Sequence, residues 1–107
     1  TSTGQTITAA GALTLAHGLG VAPKIIELFL ENVTNEAGYV TGDFTAAVGQ
    51  TGYGPAGRGA ALNVEGTTNI LVRFGDPANT FSVINFSTGA AANITNANWL
   101  LRVRAYA

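Results

Sequence analysis

The chain has neither cysteine nor methionine among its 107 residues. Without cysteine there are no disulfide staples, no thiol nucleophile and no thiolate for a soft metal. Their absence from a small domain mildly favours folding in a reducing cytosol. Methionine is missing even at position 1, and initiator methionine is usually removed before a small residue, so Thr1 is expected to begin a complete, processed chain. Charge is scarce as well. Only 10% of the residues are Asp, Glu, Lys or Arg, against about a quarter in ordinary soluble domains. The five basic and six acidic side chains stand singly and leave a formal net charge of −1. Nucleic acid, which needs Lys and Arg clustered on one face, is therefore not an expected partner. No polybasic run offers a membrane anchor either. Apolar runs stop at four residues or fewer, too short for a spanning helix or a signal segment.

Against these absences, 47% of the residues are hydrophobic and 14 are glycine. A small domain has much surface for its volume, and charged side chains normally keep that surface wetted. Here threonine, asparagine, serine and glycine must do so beside abundant alanine, valine and leucine. The simplest physical account is that other chains cover part of the surface, which points to an assembly component. At this length a single domain spanning residues 1–107 is expected.

Short β-type runs are cut by glycine, asparagine and proline, and no window sustains the i, i+3, i+4 apolar pattern of a helix. Thr6 to Leu15 reads as a hairpin or bent strand broken at Gly11. Ile25 to Glu31 is a strand with Ile26, Leu28 and Leu30 on one face and Ile25, Glu27, Phe29 and Glu31 on the other. Tyr39 to Val48 reads as strand, turn, strand, and Thr51 to Gly59 as a mobile glycine-rich loop. Ala61 to Glu65 and Asn69 to Gly75 are strands flanking a turn at 66–68. Asp76 to Asn79 is a further turn. Phe81 to Phe86 is a strand whose alternation slips between Val83 and Ile84, suggesting a bulge or burial on both faces. Thr88 to Asn96 is a loop with a weak internal strand. Trp99 to Tyr106 alternates over eight residues, with Trp99, Leu101, Val103 and Ala105 opposed to Leu100, Arg102, Arg104 and Tyr106. Seven or eight short strands with regular turns argue for an all-β antiparallel sandwich, with a jelly roll or barrel as the alternative.

Reactive chemistry finds little to stand on. His17, the only histidine, lies in AHGLG without a nucleophile or second ligand nearby in sequence, and is expected to tie down the Gly18–Gly20 turn through its ring. The G-x-G of GLGVAPKI runs into a proline and a strand, not the helix of a dinucleotide fingerprint. Asp43 and Asp76 each sit by a turn, where a carboxylate caps backbone amides; a calcium site at Asp76 and Asn79 is a weak alternative. Three Asn-x-Ser/Thr triplets are expected in so Asn- and Thr-rich a chain and carry no glycan assignment. No catalytic, cofactor-binding or metal-ligating residue is assigned, and no cofactor is expected. Contact residues are better candidates. Tyr53 and Arg58 occupy the glycine-rich loop, Tyr39 is a further aromatic, and Leu100, Arg102, Arg104 and Tyr106 form a face suited to an interface.

The segments AHGLGVAPKIIELFLEN, GYVTGDF and NANWLLRVRAYA resemble small β-rich domains of tailed-bacteriophage virion proteins. The positions that carry the resemblance are His17, Gly18, Leu19, Gly20 and Pro23, then Gly38, Tyr39, Gly42 and Asp43, then Trp99. The resemblance implies a non-enzymatic virion part, commonly a homotrimer, with a sandwich similar to H-type lectin domains. It would be assembled in the bacterial host cytoplasm alongside other virion proteins.

Two functions follow as expectations. The first is a structural accessory protein of a phage particle, a capsid decoration or cement or a short fibre, acting through symmetric interfaces. Leu100, Arg102, Arg104 and Tyr106 would serve its self-interface. The second is a module at a tail-fibre tip that binds a host surface glycan through Tyr39, Tyr53 and polar loops. A hydrolase on the same scaffold lacks an acid–base or nucleophile set.

Overall fold

A computed structural model describes residues 1–47, 59–76 and 78–107. Among them nine strands form: β1 (Gln5–Thr6), β2 (Ala12–Ala16), β3 (Ile25–Asn32), β4 (Phe44–Ala46), β5 (Ala60–Glu65), β6 (Asn69–Phe74), β7 (Ser82–Ile84), β8 (Ala91–Asn93) and β9 (Trp99–Tyr106). One turn of 3-10 helix, Asn96–Asn98, leads into β9. A four-stranded sheet runs β1-β9-β3-β4, a three-stranded sheet runs β2-β6-β5, and β7 and β8 make a separate hairpin. Every pairing is antiparallel. The fold is thus all-β and sandwich-like, as the alternating runs predict.

Alternation decides what lies between the sheets. From the first sheet Trp99, Leu101, Val103 and Leu30 turn inward; from the second come Ile70, Val72 and Phe74. Phe81 and Val83 from the hairpin, with Ile94 and Ile7, complete the buried cluster. Burying each of these larger side chains contributes about 1.5–3 kcal/mol against leaving it in water. Phe74 and Phe81 meet edge to face, their centroids 6.1 Å apart. Asn32 continues the inward phase of Ile26, Leu28 and Leu30 and is fully buried. Its Nδ2 donates to the Thr34 carbonyl at 2.9 Å.

Three expectations need correction. Thr6 to Leu15 is neither a hairpin nor one bent strand, because β1 pairs with β9 whereas β2 pairs with β6. Between them the chain changes sheets: Ile7 is buried, Gly11 N–H donates to the Thr8 carbonyl at 2.8 Å, and Ala10 takes a left-handed φ of 57°. Tyr39 belongs to no strand; it makes an isolated bridge with Glu36. The Asp43 carboxylate accepts the Val40 N–H at 2.9 Å and closes the turn before β4. Nor is there a bulge or two-faced burial from Phe81 to Phe86. Phe81 and Val83 face in, Ile84 faces out, and the β7–β8 register is regular.

His17 behaves as expected of a turn residue. Its Nδ1 accepts the Leu19 N–H at 3.2 Å, between Gly18 and Gly20 in left-handed conformation. Tyr53 and Arg58, with the rest of the glycine-rich loop up to residue 58, lie outside the described residues, as does Pro77.

Candidate functional site

Cross-strand register assembles the outer face of the four-stranded sheet from three strands. Leu100 pairs with Glu31 and Glu31 with Phe44; Arg102 pairs with Phe29, Arg104 with Glu27, and Tyr106 with Ile25. Residues paired in this way point to the same side, so the four β9 residues picked from sequence share one face with both glutamates of β3. Bases lie along β9 and acids along β3.

The face is internally ordered. Arg102 Nε donates to Glu31 Oε1 at 2.7 Å, an ion pair with both side chains partly covered. Partial solvent screening holds such a pair to about 0.5–1 kcal/mol. The Arg102 guanidinium also stands 5.8 Å from the centre of the Phe44 ring, and that of Arg104 stands 5.2 Å from Phe29. Arg104 donates to the Tyr106 hydroxyl at 3.4 Å and the Thr1 hydroxyl at 3.1 Å. Its Tyr106 hydrogen bond and charge interaction raise the arginine pKa further. Thr1, Phe29, Phe44, Arg102 and Arg104 enclose a groove of about 280 Å³. Two permanently charged donors over two rings suit binding and packing; neither guanidinium can accept a proton.

Phe44 also walls a second groove. Tyr39, Asp43, Phe44 and Phe86 surround about 270 Å³. Tyr39, expected as a loop contact, is held on several sides. Its hydroxyl donates to the Ile84 carbonyl at 3.0 Å. Its ring meets Trp99 edge-on at 5.4 Å and tilts against Phe86 at 5.7 Å.

Behind this groove sits a residue that sequence reading did not single out. The Glu36 carboxylate accepts the Thr95 N–H at 2.6 Å, Trp99 Nε1–H at 2.9 Å and Asn98 Nδ2–H at 3.0 Å. Burial works to raise its pKa, but hydrogen bonds from Thr95, Trp99 and Asn98 outweigh it and hold the carboxyl below its ordinary value. These donors lie 59 to 63 residues away in sequence, so no local motif marks Glu36. Phe86 had a signal that was available, an aromatic directly before the S-T-G of a turn.

A third hollow of about 160 Å³ opens between the sheets near Thr1, Ser2, Leu15, His17, Ile70 and Val103. Among the described residues, no group of three or more His, Cys, Asp or Glu could hold a metal ion. No helix among them is long and apolar enough to cross a membrane. No protein-family model matches the chain, and neither a curated protein nor a solved structure is found similar to it.

Proposed function

We propose that the chain is a non-enzymatic structural protein of a bacteriophage virion, a capsid decoration or cement or a short fibre. It works as a homotrimer that also contacts other virion proteins. The observation that carries this reading is exposed apolar surface, part of it drawn together at two adjoining grooves. Ile25, Val40, Phe44, Ile84 and Phe86 are each between 55 and 78% exposed. Single exposed apolar residues are ordinary, but here two grooves share Phe44 as a wall and connect Phe86 to Phe29. Aromatic grooves rimmed by Arg102, Arg104 and Asp43, beside further exposed apolar side chains on a weakly charged chain, suit an interface between subunits. Its mechanism is mass action: contacts made only by the folded, assembled form stabilise the particle.

Glycan recognition ranks second because Tyr39, its main described aromatic, has its hydroxyl engaged and its ring packed against Trp99. Light scattering on the purified chain at a few micromolar tests the primary reading. A mass of about three times 10.9 kDa supports assembly, and a monodisperse monomer overturns it.

A further inference from the structure

The groove between Tyr39, Phe44 and Phe86 has a chemistry of its own. Ring faces carry negative quadrupole potential, and Asp43 adds a carboxylate at the rim. Among the described residues the one ion pair is Arg102 with Glu31, so Asp43 has no cation of its own. Among those residues its Oδ2 accepts only the neutral Val40 N–H. Arg102 already lies over Phe44, so the exposed ring of Phe86 and the Asp43 carboxylate are what favour a further cationic occupant.

Phe86 is held in place for this role. Its N–H donates to the Ala37 carbonyl at 2.9 Å, which docks the turn at 86–88 onto the chain at 37–38. The approach is so close that a Cβ on Gly38 would lie 2.7 Å from Ser87 Oγ and 3.1 Å from Phe86 N. Ala37 is non-glycine yet has a φ of 54°, a conformation L-residues rarely adopt. This strained junction displays an aromatic side chain that is 78% exposed, and strain tends to persist where a fold needs a particular presentation.

Among the described residues the chain also supplies a matching cation. Arg102 and Arg104 already lie over the molecule's own Phe44 and Phe29. Arg73 instead stands on the outer face of the three-stranded sheet, between Ala12 on β2 and Ala61 on β5. One of its donors reaches the Ala10 carbonyl at 3.2 Å, and a guanidinium has five. Its alanine neighbours are too short to wall it in, so another molecule can come close. A planar guanidinium stacks on aromatic faces better than the compact ammonium of Lys24.

We propose that the Tyr39–Phe44–Phe86 groove receives Arg73 of a second copy of the chain, with Asp43 as its counter-charge. The inference rests on the self-association proposed above and specifies how the copies meet. Groove and guanidinium are different patches of the same surface, so the contact is head-to-tail. Such contacts close into a ring, here a trimer, or run on as a filament.

The test is the mass of the wild type, Arg73→Gln, Phe86→Ala and an equimolar mixture of the two variants, by light scattering over a concentration series. Both side chains are exposed, and circular dichroism establishes that the variants fold. We expect each variant alone to raise the concentration of half-assembly roughly 30-fold, the scale of a desolvated cation–π contact. The mixture should recover one junction, because Arg73→Gln keeps an intact groove and Phe86→Ala keeps an intact Arg73. Its mass then lies between one and two chains where each variant alone is monomeric. A wild-type oligomer indifferent to Arg73→Gln overturns this inference and leaves the structural role standing. A wild type that is monomeric throughout overturns both.

Discussion

Removing the Glu36 carboxylate should cost this protein a large fraction of its stability. Trp99 is 1% exposed, and its indole N–H, now 2.9 Å from Glu36 Oε1, loses its charged acceptor when Glu36 becomes Ala. A buried donor left unsatisfied costs about 1–3 kcal/mol. Thr95 N–H and Asn98 Nδ2 lie nearer solvent and would add a few tenths each as water replaces a charged acceptor. The sum is about 2–3 kcal/mol, against roughly 5–15 kcal/mol for a domain of this kind. In a chain of about 100 residues that lowers the melting temperature by about 10–20 °C. Glu36→Gln keeps one oxygen for the indole but turns an amide N–H2 toward Asn98, and should lose about 1 kcal/mol. Charge adds a second signature. The folded-state pKa of Glu36 lies below its ordinary value, so its stabilisation is complete above the ordinary carboxylate range and fades as pH falls through the folded pKa. Glu36→Gln has no such component, and its deficit relative to wild type should shrink on acidification. Urea unfolding followed by the fluorescence of Trp99, the only tryptophan, reads both effects between pH 7 and pH 3. The reasoning is refuted if Glu36→Ala stays within about 0.5 kcal/mol of wild type, or if the glutamine deficit is the same at both ends.

Two backbone predictions use the same assay. Gly38→Ala should destabilise by about 2–4 kcal/mol, because the position combines a φ of 81° with backbone atoms of Ser87 and Phe86 where the methyl would go; a loss under 1 kcal/mol would contradict the tight docking of the turn. Ala10→Gly should stabilise by about 0.5–1 kcal/mol, since Ala10 is exposed with a φ of 57° and glycine relieves more left-handed strain than it adds entropy. A lower unfolding midpoint would count against it.

What could be read in advance follows the range over which each signal acts. Trp99 to Tyr106 and Ile25 to Glu31 alternate cleanly, and the faces assigned to them are the faces observed. The interface candidates on β9 fall together because period two puts Leu100, Arg102, Arg104 and Tyr106 on one side wherever the strand pairs. Their partners on β3 and β4 were beyond reach, since register between distant strands is a tertiary property. Gly11 marked a real break, but which strand β1 joins is decided at the far end of the chain. Asn32 was readable and passed over: it extends the inward phase of Leu28 and Leu30 by one step. Tyr39 misled as a strand residue because its β propensity is overridden locally by the Glu36–Tyr39 bridge and the Asp43 cap.

The placement of β9 has a kinetic consequence. It is an interior strand of its sheet, bonded to β1 on one side and β3 on the other, and it supplies Trp99, Leu101 and Val103 to the core. Ser2 N–H donates to the Val103 carbonyl at 2.7 Å, so the first residues dock onto the last strand. Until β9 has been synthesised and drawn in, β1 has nothing to pair with and β3 lacks the partner along its whole length. Contacts this far apart in sequence make for slow closure. During that interval Ile26, Leu28 and Leu30 remain uncovered on a chain with few charges to repel its neighbours. Crowded synthesis would then tend toward aggregation. Growth temperature and expression rate should therefore govern the yield of folded protein as strongly as its final stability does.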